Sequence, residues 1–296
     1  MPSSIPSTMV AEKTIKKTVK EEKITKKGTG QILSETLNEG TKYLEKNLFP
    51  LFKDLLKINL LNIFVFCIGF VIAAALFSFL TPGAIQLGVA AMIAVLTFIL
   101  SHAINSVIYN AVDERAKGGA VGILSKAKEN FIPVALYSIL LGAIILIVFL
   151  PLILAFLSGD TNLLLIGLGL TFFSLLALIV IFFLIQFGLW ELVINRRGPL
   201  ASLKRSYELI TNGNIAKTLL FDICIFVVVF GLGIIYQLLV LFASVISSLF
   251  MMANILIGTV INIFLQILFL VVYSAIVYTI TYPFIYIFWK KLEEMS

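Results

Sequence analysis

The chain is predicted to be an all-α integral membrane protein, with six transmembrane helices arranged as three hairpins and interfacial amphipathic helices between them. Three observations carry the prediction. Mean hydropathy is +1.08, and 60% of the 296 residues are hydrophobic while only 13% are charged, against about 25% charged in soluble domains. Six long apolar runs lie near residues 58–80, 86–111, 132–157, 163–190, 217–243 and 255–289, and each exceeds the ~20 residues that cross a hydrocarbon core at 1.5 Å per residue. Finally, all 22 Lys and Arg fall on one side of the alternating connections or at run ends.

Residues 1–30 hold seven lysines against three glutamates and no apolar periodicity, which predicts a disordered basic cytoplasmic tail near anionic headgroups or in solvent. Residues 31–57 place Leu33, Leu37, Leu44 and Leu48 opposite Glu35, Lys42, Glu45 and Lys46, the pattern of an interfacial amphipathic helix that feeds the first span. No cleavable signal peptide is expected, because the first 57 residues are polar and lysine-rich. The connections near 81–85 and 244–254 carry no charge and that near 158–162 carries only Asp160, whereas Arg115, Lys117, Lys126 and Lys128, then Arg196, Arg197, Lys204, Arg205 and Lys217, crowd the others. Cationic residues near span ends stay in the cytoplasm, so both termini, including the short tail 291–296, are expected on the cytoplasmic side of a cell membrane.

Surface helices are also expected at 119–131 and 199–211, the latter with Leu200, Leu203, Tyr207 and Ile210 opposite Lys204, Arg205 and Glu208. Each would lead into a hairpin, which suggests a repeat. Glu129-Asn130-Phe131-Ile132-Pro133 echoes Lys46-Asn47-Leu48-Phe49-Pro50 at an offset of 83, and Asn214 follows Asn130 at 84. Across the longest run, 255–289, Tyr282-Pro283 offers a kink. Trp190 and Trp289, the two tryptophans, read as interfacial anchors.

Polar groups within the runs are the candidate sites, since burying them in hydrocarbon is costly. His102, Asn105, Ser106 and Tyr109 form a stripe at helical spacing, either a polar path or a set of interhelical hydrogen bonds. Glu191 and Asp222 lie close to span ends and are expected to pair with Arg196, Arg197 or Lys217. Arg196, Arg197, Lys204 and Arg205 are the candidate cytoplasmic contact for lipid or a partner. Cys67 and Cys224 lie within spans and read as apolar packers.

Signatures of enzymes are missing: one histidine and two separated cysteines supply no metal set, and no P-loop or GxSxG elbow occurs. No cofactor is expected, nor a nucleic-acid partner, because no basic face is interleaved with exposed aromatics.

The segment Gly198-Pro199-Leu200-Ala201-Ser202-Leu203-Lys204-Arg205-Ser206-Tyr207-Glu208-Leu209-Ile210-Thr211-Asn212-Gly213-Asn214 resembles the cytoplasmic motif between spans four and five of prokaryotic proteins related to the glycerophosphodiester phosphodiesterase membrane domain. The likeness covers roughly residues 31–290. It implies a six-span protein of unassigned role and names no catalytic residue, and no phosphodiesterase activity is expected to come with it. The expected function is a non-enzymatic membrane component associated with lipids or another membrane protein. The alternative is a permease for a small or amphipathic solute that uses the His102 stripe.

Overall fold

A computed structural model describes residues 28–79, 84–158 and 161–296, and among them every regular element is helical. Residues 1–27 of the tail expected at 1–30, the centre of the first uncharged turn at 81–83 and the connection at Asp160 lie outside the described residues, while Thr29 and Gly30 already belong to a helix. The helices are α1 (Thr29–Phe79), α2 (Ala84–Ala116), α3 (Ile123–Ser158), α4 (Thr161–Ile185), α5 (Gly188–Val193), α6 (Pro199–Thr211), α7 (Ile215–Ala253) and α8 (Ile255–Met295). Six of them, α1 to α4, α7 and α8, are long and apolar enough to cross a membrane, which makes this a multi-pass membrane protein.

Helix ends follow local chemistry. Gly118 takes φ +80°, and the bonds Gly119 N–H to Glu114 O and Gly118 N–H to Arg115 O close α2 with the left-handed cap that glycine adopts without a Cβ penalty. At the opposite end of the molecule a single residue, Asn254, joins α7 to α8. Its side-chain oxygen accepts from the N–H groups of Leu256 (2.9 Å) and Ile257 (3.2 Å), satisfying two donors that have no partner within the helix.

Each expected hairpin packs on itself, α1 on α2, α3 on α4 and α7 on α8, and the hairpins join through α1 with α8 and α2 with α3. The spans therefore form a row in the order α7, α8, α1, α2, α3, α4. Its two ends are the least covered: the most apolar stretch of α7 has no buried residue and that of α4 almost none. The core lies at the charged end. The largest fully buried side chains, among them Trp190, Trp289, Phe187, Phe288, Leu51, Leu55, Ile108 and Leu292, all belong to that end. Toward the uncharged end the buried positions are mostly small, Gly69, Ala155, Gly167, Ala243, Ser247 and Gly258, which is how helices approach when lipid offers no hydrophobic driving force.

Two expectations are corrected. The interfacial helix at 31–57 is not a separate element but the first half of α1, and the surface segment at 119–131 runs from residue 123 directly into α3; α6 alone stands apart. The leucine stripe of α1 flanks the packed face: Leu37 and Leu48 are 53% and 49% exposed, Leu33 and Leu44 are half-buried, and Ile32, Thr36, Asn47, Leu51, Leu55 and Ile58 are buried. The packed face lies against α8. Gly40 lies so near Phe284 that a Cβ would overlap the aromatic ring, and it shares a side of the helix with Leu33 and Leu37, which line a cavity with the same ring.

This half of α1 does not run alongside its neighbours. Asn59 bonds Ser274 at 2.9 Å while Gly40 abuts Phe284, so 19 residues of α1, about 28 Å of helix, match ten residues of α8, about 15 Å. The first half of α1 therefore crosses the charged ends of its neighbours at an angle. Pro50 lies between the two contacts, where its ring crowds the carbonyl of Lys46 and favours a bend.

Substituting Gly40→Val should lower the thermal midpoint of the detergent-purified protein by the equivalent of about 1–3 kcal/mol, the usual cost of overpacking. Adding Phe284→Ala to the same chain should recover part of that loss. Equal midpoints for Gly40→Val and the unaltered chain would show that α1 and α8 do not meet here.

Candidate functional site at the charged end

The segment 198–214 builds a joint. Gly198 in extended backbone (φ −64°, ψ 157°) caps α6 and Pro199 occupies its first turn, where a missing N–H costs nothing. Ser206 is fully buried. Its Oγ donates to Leu184 O (3.1 Å) and accepts from Phe187 N–H (3.1 Å), so it satisfies both sides of the break between α4 and α5. Gly213 turns the chain at φ +79°, and buried Asn214 donates to Leu209 O at 2.8 Å. The stripe expected on α6 is split: Leu203 and Ile210 are buried, whereas Leu200 is 71% and Tyr207 50% exposed. Residues Ser202, Ser206 and Leu209 complete the buried face.

Beside this joint lies a buried carboxylate. Glu191, on the six-residue α5, has no solvent exposure. It accepts from Trp289 Nε1 at 3.0 Å and from Asn195 Nδ2 at 2.9 Å, and Arg197 Nε stands 2.9 Å away. Asn195 also bonds Glu293 on α8. Trp190 stacks on Trp289 at 5.7 Å and meets Tyr109 edge-on at 4.7 Å. Both tryptophans are thus core residues, 2% and 0% exposed, and not interfacial anchors; they belong to one buried cluster with Ile32, Leu51, Leu55 and Leu209.

A second layer ties the same helix ends. Tyr286 donates to Asp113 at 2.6 Å, Lys117 pairs with Asp113, Tyr43 donates to Val112 O at 2.8 Å, and Arg115 holds Asp54 at 2.6 Å. Lys291 clips α8 to α1 through Glu39 (2.7 Å) and Glu35 (3.3 Å). Burial works to lower the pKa of Lys291, but its bonds to Glu39 and Glu35 leave it raised overall. A raised lysine keeps its contribution at neutral pH and loses it only as pH climbs past the ordinary lysine range.

The candidate residues are redistributed by these contacts. The four cations do not form one site: Arg197 is held by Glu191, Arg196 by Glu129, and Arg205 reaches Ser296 and Glu208, while Lys204 is 77% exposed. Glu191 pairs with a cation as expected. Asp222 does not; its partner is Gln186, at 3.0 Å, since Arg196 and Arg197 are already engaged and Lys217 turns to Asn214 (2.9 Å). Within the polar stripe, Asn105 accepts from Asn62 at 2.9 Å and Ser106 from Asn130 at 2.9 Å. Tyr109 packs on Trp190 and Tyr282. His102 stacks on Phe98 at 5.8 Å, and its buried Nε2 lacks a hydrogen-bond partner.

The sequence alone does not single out the partners Asn59, Asn62, Asp54 and Asp113, and it marks Glu129 only within a repeat. Asn130, named only as part of a repeat, is the hub of α2 and α3, donating to both Ser106 and Asn110.

One polar cavity opens at this end. About 210 Å³ in volume, it lies between the first turns of α3 (Glu129, Asn130, Pro133, Val134) and the segment after α5 (Leu192, Val193, Arg196, Arg197). Arg196 there is, among the described residues, the non-glycine residue with positive φ, +53°, a conformation that costs roughly 1–2 kcal/mol.

The chain matches no protein-family model, no curated protein and no solved structure.

Replacing Arg197 by Ala leaves Glu191 buried without its cation and should cost about 3 kcal/mol, read as a lower thermal midpoint. Combining Arg197→Ala with Glu191→Gln should restore much of it, because a neutral amide still accepts from Trp289. An Arg197→Ala protein as stable as the parent would remove this pair from the account of the joint.

Proposed function

We propose that this protein is a non-enzymatic component of the cell membrane that associates with lipids or with another membrane protein. Its termini and charged loops face the cytoplasm, as the one-sided distribution of Lys and Arg argues. The observation that supports the reading best is the use made of the polar groups inside the spans. Asn59, Asn62, Asn105, Ser106 and Asn130 are bonded to one another or to serines across helix boundaries, which spends them on association. What the molecule offers to the membrane is apolar. Two grooves flank the α1 and α2 hairpin where Gly69 meets Thr97, of about 570 and 310 Å³, with Phe66, Phe70 and Phe98 along one and Ile68, Leu96 and Leu100 along the other. Grooves of that lining suit acyl chains or a neighbouring apolar helix. The exposed leucines of α1 and of α6, beside Lys42, Lys46 and Lys204, suit the headgroup interface.

A permease working through the His102 stripe would instead need water beside it. In a Cys67→Ala, Cys224→Ala background, Asn105→Cys and Tyr109→Cys should resist a membrane-impermeant maleimide, while Lys204→Cys should react only in permeabilised or inverted membranes. Reaction at Asn105→Cys in sealed membranes would establish an aqueous path and favour the permease. Reaction of Lys204→Cys in intact cells would reverse the orientation.

A further inference from the structure

We propose that the polar cavity between α3 and the segment after α5 binds the phosphodiester headgroup of an anionic phospholipid. This inference rests on the lipid-associated reading above and narrows it to one site.

The cavity joins two surfaces of different chemistry. Its rim carries Arg196, Arg197 and Glu129, and its walls carry Pro133, Val134, Leu192 and Val193. Pro133 and Val134 stand at the start of the third apolar run, and on the same turns Ile132 and Leu136 are exposed apolar side chains, 67% and 52%. The mouth therefore adjoins the surface that lipid covers, at the level where a headgroup meets its acyl chains. A free phosphate would use only the rim.

The disposition of charge, not its sum, favours an anion. Glu191 is fully buried and already engaged by Trp289, Asn195 and Arg197, so it repels an arriving phosphate less than an open carboxylate would. The charges at the rim are Arg196 and Lys126 against Glu129 and Glu114, the latter 4.0 Å from Lys126, so they balance, and an anion is drawn by the exposed Arg196 guanidinium itself and not by a net excess. Arg196 is 72% exposed and paired with Glu129, and Lys126 lies 3.3 Å from the same carboxylate. A phosphate can take Arg196 from Glu129, because Lys126 remains to hold the carboxylate that is released. The planar guanidinium offers two parallel N–H donors to phosphate oxygens. The left-handed backbone at Arg196 is a position that glycine would fill without strain; arginine there needs a reason beyond the turn.

The full-length protein in a neutral maltoside detergent, followed by native mass spectrometry and thermal unfolding, tests the site with three probes: phosphatidylglycerol, phosphatidylcholine and inorganic phosphate. Phosphatidylglycerol should be retained and should raise the thermal midpoint, while the other two should do neither. Arg196→Gly, which keeps the backbone conformation, should weaken phosphatidylglycerol retention about tenfold, the loss of one charge-assisted pair. Glu129→Gln removes the internal competitor and should strengthen it. Protection by inorganic phosphate equal to that by phosphatidylglycerol would overturn the lipid assignment in favour of a simple anion site. Retention unchanged in both variants would overturn this cavity as the site while leaving lipid association intact. If no lipid is retained or protects, both this inference and the lipid-associated reading fall.

Discussion

A carboxylate sealed from solvent at the foot of six apolar helices is a strong constraint, because removing such a charge from water costs several kcal/mol unless partners surround it. Glu191 meets that demand with three partners drawn from different places: Trp289 on α8, Asn195 and Arg197 after α5. Each is useful only if its own element is fixed. Trp289 reaches Glu191 because α8 continues through Pro283 to Met295, and α8 is positioned by Gly40 and by the Lys291 clip on α1. Arg197 and Asn195 reach it because Ser206 on α6 closes the break that creates α5. Satisfying one buried charge thus aligns α1, α5, α6 and α8 together.

That concentration of bonds accounts for the uneven packing of the spans. In lipid, apolar side chains gain little by leaving acyl chains for one another, so large buried residues accumulate where water is the alternative, and small ones mark the contacts within hydrocarbon. Trp190, Phe187, Phe288 and Leu292 belong to the first class, Gly69, Ala243 and Gly258 to the second. The row from α7 to α4 can remain open toward the uncharged end because its hairpins are already tied at the other. Grooves on the α1 and α2 hairpin follow from the same economy, since small residues at the seam leave the flanking phenylalanines and leucines facing the membrane.

The number of spans, the hairpin pairing and the location of charge were legible because they depend on run length and on which residues lipid rejects. How deeply each side of α1 packs was not. Leu33, Leu37 and Leu44 share a side with Gly40, yet Gly40 meets Phe284 closely while Leu37 and Leu48 stay half exposed, since helix contact here depends on closeness and not on apolar area. The two tryptophans misled for a related reason: an indole at a span end is an anchor unless something covers it, and the cluster that buries these two, with Ile32 and Leu51 from α1 and Leu209 from α6, arises from long-range packing. Asp222 and Glu191 looked alike at similar depth. Only the arrangement of the loop after α5 decides that the arginines go to Glu191 and Glu129 and leave Asp222 to Gln186.

The repeat and the motif on α6 bear on how far similarity in such sequences informs function. Asn47, Asn130 and Asn214, the positions that recur at 83 and 84 residues, are all buried, at 8%, 6% and 3% exposure, but bond a preceding carbonyl, two α2 side chains, and the α6 backbone respectively. A buried amide therefore recurs shortly before the first apolar run of each hairpin while its partners differ. In the α6 segment Gly198, Pro199, Ser202, Ser206, Gly213 and Asn214 are each occupied by capping, turning or closing the break in the preceding helix. Residues engaged in that way describe a joint between a span and its connecting loop. A likeness carried by them is a likeness of architecture, and what distinguishes this chain must be sought in the groups the joint leaves accessible, Arg196, Glu129 and Lys204 above all.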